Sequence, residues 1–472
     1  MNPEEFRAAG HQLIDWIADF RTRLPSLPVR SPAAPGDVRR RLPVEPPTGT
    51  VPFDQLLSDL DEVLMPGMTH FQHPAFYGFF PANASLSSVL GDLTSGGLGA
   101  LGITWQANPA LTEVEEVMCD WMRQLVGLST DWRGTIFDTA STGGLVALMA
   151  ARERASRFSM REGGLQALPS SLVVYTTEEA HSSIPKAALL AGFGDDNIRL
   201  VEVDGSTFAM DPAALEAAIK EDIAAGRKPA VVVATVGTTA TTAIDPVKAI
   251  AAVGRSNDLW VHVDAAMAGT AMLLPECRWM WEGVDDADSL TWNPHKWMGT
   301  VFDCSLFYVK DPAHLVGVFS SNPSYVRAAV DGQVTQYRDW GIPFGRRFRA
   351  LKLWFQLELD GVESIKERVR RDLAGAQWLK GAAEATPDWR VLAPVPLQTV
   401  CLRHEPTGRS PDEVDAHTLS WVEAVNKSGQ AYLTPARLDG HWMVRVSIGS
   451  LTTERSDLEA LWGLMRSVAE AQ

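Results

Sequence analysis

Two side chains stand where covalent chemistry could be done. Lys296 lies in Asn293-Pro294-His295-Lys296-Trp297, a proline-started turn with apolar, tryptophan-rich sequence on both sides. A lysine amine in such a place can hold a carbonyl cofactor as a Schiff base, leaving binding and electrostatics to the protein. Its companion lies in Trp260-Val261-His262-Val263-Asp264-Ala265-Ala266, an apolar, β-branched run that reads as a buried strand. Side chains two apart on a strand share a face, so His262 and Asp264 point the same way. A carboxylate at the end of a buried strand is costly unless it meets a cation. The protonated ring nitrogen of pyridoxal phosphate is such a cation. On the strand alone Asp264 serves equally well as a cap of the next helix; a lysine-bound pyridoxal phosphate uses both residues.

Weaker signals surround this pair. Thr139-Ala140-Ser141-Thr142-Gly143-Gly144 stands between a strand and a helical run, where small residues let backbone amides reach an anion. Thr235-Val236-Gly237-Thr238-Thr239 is a second small, polar strand end. His181, after the strand ending at Tyr175, could stack on a flat ring or face solvent at a helix start. Tyr325 lies in a stretch of little periodicity, 320–336; a tyrosine on a loop near a site can give a proton or simply pack. The aromatic stretch Phe71 to Pro81, with Phe79 and Phe80, is broken by Gly and Pro and suits core packing or the wall of a flat pocket. Ile103, Thr104 and Trp105 invite the same pair of readings. No Arg or Lys occurs in either stretch, so a substrate with a side-chain carboxylate is expected to be poor.

Elements that could position these residues follow from periodicity. Short apolar runs at 134–137, 171–175, 230–235, 259–263, 288–292 and 304–309 alternate with helical patterns. That alternation predicts an α/β fold with a mostly parallel sheet, whose ligands sit at the carboxyl ends of the strands. Lys296 and Asp264 both follow strands. Residues 345–385 read as helical and charged. Beyond them, strands at 397–402, 431–436 and 442–448, the last two joined through Asp439-Gly440, and helices at 411–427 and 453–470 predict a small C-terminal α+β domain. At the other end Asn2-Pro3-Glu4-Glu5 starts an amphipathic helix, which needs its own core or a second subunit to cover it. A spacer with eight prolines follows at 25–52. The expected division is 1–85 as an N-terminal helical dimerisation segment, 86–355 as the large cofactor domain and 356–472 as the small domain.

Composition narrows the class. A formal charge of −16 over 472 residues argues against nucleic acid and anionic membrane. No apolar run reaches the roughly 18 residues of a membrane span. The acidic start is unlike a signal peptide, and the four scattered cysteines lack metal-ligand or CxxC spacing, so a cytoplasmic protein is expected, with no metal.

Taken together, Asn2 to Phe6, Met65-Pro66-Gly67, His262 to Ala266, Asn293 to Trp297 and Arg338 to Phe348 (RDWGIPFGRRF) resemble the group II pyridoxal-phosphate decarboxylases, specifically the aromatic-L-amino-acid decarboxylases and their bacterial dopa and tryptophan decarboxylase-like branch. The resemblance implies an aspartate-aminotransferase-type (fold type I) enzyme, an obligate homodimer with sites at the interface. It implies Lys296 as the Schiff-base lysine, Asp264 as partner of the ring nitrogen, His181 as the ring-stacking histidine and Tyr325 as the proton donor. Ala140, Ser141, Asn293 and His295 resemble the phosphate contacts, and Thr239 and Ala266 the lining of the ring. Phe79, Phe80, Pro81, Ala82, Ile103, Trp105 and Gly345 are the implied substrate contacts. The activity implied is decarboxylation of tryptophan, phenylalanine, tyrosine or dopa to the amine. An aldehyde synthase or an aminotransferase of the same fold is the alternative enzyme, and a cofactor-holding binding module the alternative outside enzymology. Met267 stands where the family often has Tyr, and Ala82 where animal members carry a hydroxyl, which tilts the expectation slightly from dopa toward tryptophan or phenylalanine.

Overall fold

The computed structural model describes residues 1–321 and 332–472. Six predicted runs form strands, and with one more they build a seven-stranded sheet: β1 Arg133–Phe137, β2 Leu172–Thr176, β3 Ile198–Leu200, β4 Lys228–Thr235, β5 Trp260–Asp264, β6 Ser289–Trp292 and β7 Ser305–Val309. The order across the sheet is β1-β7-β6-β5-β4-β2-β3. Neighbours run parallel from β6 through β5, β4 and β2 to β3, and β7 runs antiparallel to both β1 and β6. Apart from β3 these strands are buried along nearly their whole length, as expected of a mostly parallel sheet. Strand β3 is the one the apolar pattern misses: it is three residues long and not buried.

The chain divides into two compact units. One holds Ala82–Lys380 and Val391–Cys401 and contains this sheet; the other holds Met1–Pro81, Gly381–Arg390 and Leu402–Gln472. The N-terminal stretch and most of the C-terminal domain, expected as separate segments, thus contribute to one unit. A four-stranded sheet runs in the order β8 Trp389–Val391, β9 Thr399–His404, β11 His441–Ser447, β10 Thr434–Leu438. The hairpin between the last two turns on Asp439 and Gly440, both at positive φ, as an Asp-Gly pair favours. Helices Pro411–Lys427 and Arg455–Glu470 begin and end close to where the sequence puts them.

The N-terminal helix Pro3–Arg23 starts where expected, with Asn2 and Glu5 forming a capping box, yet it buries none of its residues. The apolar stripe remains partly open, with Phe6 60% and Ile14 39% exposed. In the same unit Phe71, Phe76, Phe79 and Tyr432 form a ring cluster. Arg445 lies over the Phe80 ring at 4.9 Å and donates to the Phe79 carbonyl. The aromatic stretch itself has no cation, but the fold brings one to it from β11. Pro81 ends the first of the three segments that make up this unit.

Candidate active site

Three parallel strands end at one level. Thr235 on β4, Asp264 on β5 and Thr291 on β6 are register partners. Directly paired residues share a face of the sheet, so their side chains point the same way. Asp264 is buried, and its Oδ1 accepts the Ala266 amide at 2.9 Å. Thr235 Oγ1, Thr291 Oγ1 and Asn293 Oδ1 are buried with no hydrogen-bond partner among the described residues. Buried polar atoms are ordinarily satisfied, so such a cluster marks a place where a ligand belongs.

The helix Ala140–Ser156 begins beside this cluster. A Cβ on Gly143 would come within 2.7 Å of Thr291 Oγ1, so glycine is what lets the helix start approach the strand end. Its N-cap, Thr139, makes no side-chain cap bond. Ala140 is half-buried and Ser141 exposed at this positive helix end, a setting suited to a phosphate.

Lys296 sits in the turn after β6, in the segment Pro294–Met298, with non-helical backbone (φ −93°, ψ −110°). The turn is strapped from several directions. The Lys296 amide donates to the Asn293 carbonyl at 3.0 Å, and Asn83 Nδ2 reaches the Lys296 carbonyl at 3.4 Å. The Cys304 amide donates to His295 Nδ1 at 2.9 Å, and the Ser85 amide to the Gly299 carbonyl at 2.8 Å. From helix Ala350–Asp360, Gln356 donates to the Met298 carbonyl at 3.1 Å. From helix Val362–Glu384, Arg368 donates to the carbonyls of Trp297 at 2.6 Å and Met298 at 3.0 Å. Asp372 on the same helix accepts from Trp297 Nε1 at 2.8 Å and pairs with Arg368 at 3.4 Å. Burial and the nearby Lys296 and Lys352 ammonium groups lower the His295 pKa to about 3, so this histidine is neutral. Asn83, Gln356, Arg368 and Asp372 carry no local signal in the sequence; only the Arg-Asp spacing of one helical turn hints at the last two.

His181 completes the group. The charges of Lys296 and Asp264 both act on it: burial first, then Lys296, lower its pKa, and Asp264 opposes them. The loop before it also meets the Thr239 strand end, where the Thr239 amide donates to the Glu179 carbonyl at 3.4 Å. Thr239 and Ala266 are half-buried at the same ends of β4 and β5. The lysine, from a turn, and the aspartate, from the end of β5, are therefore each within electrostatic reach of the histidine. Tyr325 lies outside the described residues.

The remaining candidates gather elsewhere in this unit. Leu101–Gly102 pairs antiparallel with Arg346–Arg347, and a Cβ on Gly345 would touch Leu101 at 3.4 Å. Trp105 donates from Nε1 to Glu113 at 2.9 Å, and its amide donates to Gln336 at 3.0 Å. Ile103 and Ala82 are half-buried. Several leucines of this stretch are exposed: Leu86, Leu90 and Leu93 at helical spacing, with Leu98 64% and Leu101 53% exposed, and Ile342 is 54% exposed.

The chain matches the conserved domain of the pyridoxal-dependent decarboxylases over residues 35–405. It belongs to that family. Its cofactor is therefore pyridoxal phosphate, and the unsatisfied oxygens, the uncapped helix start and the buried Asp264 fit that group. Among similar decarboxylase-family proteins, the phenylacetaldehyde synthase of Arabidopsis thaliana is 36% identical over 99% of this chain and 96% of its own. Tyrosine decarboxylase 4 of Petroselinum crispum is 36% identical over 100% of this chain and 94% of its own. The crystal structure of Oryza sativa TDC with PLP and tryptamine superposes with a TM-score of 0.96 at 35% identity, covering 100% of this chain and 99% of that one. The α/β fold with a mostly parallel sheet is thus that of a decarboxylase of this family, a carboxy-lyase.

Proposed function

We propose that this decarboxylase removes CO₂ from an aromatic L-amino acid, tryptophan, phenylalanine, tyrosine or dopa, and releases the arylalkylamine. The observation that carries the reading is the convergence of Lys296, Asp264 and His181 on the ends of β4, β5 and β6 in a chain whose full-length relatives are named for aromatic amino acids. Bound pyridoxal phosphate supplies the electron sink that takes up the pair released when the bond to the substrate carboxylate breaks. The chain's own residues do the rest. Lys296 holds the cofactor through its amine and yields to the substrate amine. Asp264, at the end of a buried strand, keeps a proton on the ring nitrogen. The first turn of helix Ala140–Ser156, with Ser141, Asn293 and His295, holds the phosphate. His181 covers a face of the ring, Thr239 and Ala266 line it, and Tyr325 returns a proton to the substrate carbon.

The exposed leucines Leu86, Leu90, Leu93 and Leu101 support a homodimer that covers them, with Ile103, Trp105 and Gly345 serving sites at the interface. The exposed stripe of the N-terminal helix supports the same assembly. Four buried cysteines, none of them in a disulfide, fit a cytoplasmic protein, and no helix among the described residues is long and apolar enough to cross a membrane.

A second reading is aldehyde formation, since a relative named phenylacetaldehyde synthase is as similar as one named tyrosine decarboxylase. His181 and Tyr325 favour the amine. Incubation with tryptophan, phenylalanine, tyrosine, dopa and glutamate, with amine, aldehyde and CO₂ assayed, tests both. Amine and CO₂ are expected from the aromatic acids, with tryptophan or phenylalanine ahead of dopa by roughly 2- to 10-fold, the worth of one hydroxyl contact. Keto acid without CO₂, or a preference for glutamate, overturns the proposal.

A further inference from the structure

His181 carries two donors on one nitrogen. The Ser183 backbone N–H points at His181 Nδ1 at 3.1 Å, and Ser183 Oγ lies 2.8 Å from the same atom. An amide can only donate, so Nδ1 must be the unprotonated nitrogen, and the hydroxyl, free to rotate, donates as well. The ring proton then stands on Nε2. Protonating Nδ1 would set two N–H groups against each other and leave the Ser183 amide without its acceptor. The place in the fold acts in the same direction. Ser183 is the first residue of helix Ser183–Leu190, so the imidazole sits at a positive helix end, and burial acts with it against a charge on the ring. Asp264 is the group that opposes them.

We propose that Ser183 is a positioning residue that fixes His181 as the neutral Nε2–H tautomer, so that the ring presents a hydrogen-bond donor, never a base, at Nε2. Resting on the decarboxylase reading above, this assigns the histidine one side of the chemistry. It can donate to a carboxylate or phenol oxygen brought against it, and it cannot take a proton from the substrate through that nitrogen.

The test reads the ring directly. The holoenzyme is prepared with ¹⁵N-labelled histidine, and among its ten histidines His181 is assigned by its loss in His181→Gln. In the wild type at pH 7, Nδ1 should show the shift of an unprotonated and Nε2 that of a protonated nitrogen. Ser183→Ala deletes the hydroxyl and keeps the amide, one of the two donors; it should weaken the preference for the Nε2–H form without abolishing it, move the ring's titration upward and lower kcat roughly 3- to 10-fold with KM within twofold, the loss of one hydrogen bond. Ser183→Thr should restore all three. A wild-type His181 with its proton on Nδ1, or charged at pH 7, overturns the proposal, as does a Ser183→Ala enzyme with wild-type spectrum and kcat. The spectrum does not depend on which substrate is turned over, so failure of the substrate reading and failure of this assignment are told apart.

Discussion

Replacing Arg368 by leucine opens the clamp on the lysine turn, and its cost can be worked out. Arg368 donates to two backbone carbonyls of the turn, those of Trp297 and Met298, and pairs with Asp372. Hydrogen bonds from a charged group contribute about 1.5–3 kcal/mol each, and breaking a buried pair by deleting one partner costs about 3–5 kcal/mol in all. Arg371, 3.7 Å from the other Asp372 oxygen, limits the loss, so the middle of that range is the expectation. Burial already holds the Asp372 carboxyl above its ordinary range despite three neighbours that lower it, and without Arg368 it should take up a proton. The Arg368→Leu, Asp372→Leu double variant removes the stranded carboxylate and should recover about 2 kcal/mol relative to the sum of the single changes. Equilibrium unfolding in denaturant measures both quantities, and cofactor retention on gel filtration reports whether the turn still holds Lys296 in place. An Arg368→Leu loss below about 1 kcal/mol, or a double variant as unstable as the sum, would refute the view that this pair holds the turn.

The other expectations are more direct. Lys296→Ala should abolish the visible absorbance of the covalently held cofactor and essentially all turnover, and Asp264→Ala should keep the cofactor weakly and turn over at least 100-fold more slowly, the scale of a lost preorganised charge; near-normal activity in either variant contradicts the assignment. Tyr325→Phe keeps the ring and deletes the proton, so amine output should collapse and aldehyde with peroxide appear under air, whereas amine at the wild-type rate would reduce Tyr325 to packing. Stability should fall with acid. His262, bonded to Ser289, and His295 are held neutral by burial with pKa lowered to about 4 and about 3, while the unfolded chain binds protons at its ordinary imidazole value. Their stabilisation is present above about pH 6.5 and is lost as pH falls toward the folded values, about 2 kcal/mol for each by pH 5. His262→Gln should remove about one proton from the uptake on acid unfolding, and an unchanged slope between pH 6.5 and 4.5 refutes it.

The sheet was legible because its strands are long apolar runs flanked by turn residues, and Asp439-Gly440 announced its hairpin by residue type alone. Strand β3 was not, being short and unburied, with pairing decided by its neighbour β2 rather than by its own pattern. Lys296 and Asp264 could be found because each sits at the end of a strand whose burial the sequence reveals. The side chains that hold Lys296 could not. Arg368 and Asp372 stand in a charged helix that reads as solvated, and only tertiary packing turns them inward. Cations near the aromatic stretch were invisible for the same reason: Arg445 reaches Phe80 from a strand late in the chain.

The straps on the lysine turn also set an order of events during synthesis. A ribosome makes the chain from its N-terminus, and Lys296 emerges well before Gln356, Arg368 and Asp372, whose bonds close the turn around it. Until those helices are out, the turn that carries the Lys296 amine has only its bonds within the segment 83–304. Capture of the cofactor is therefore tied to the completion of the segment 350–380, and a chain truncated before Arg368 should leave the ribosome unable to take up pyridoxal phosphate, whatever the state of its strands.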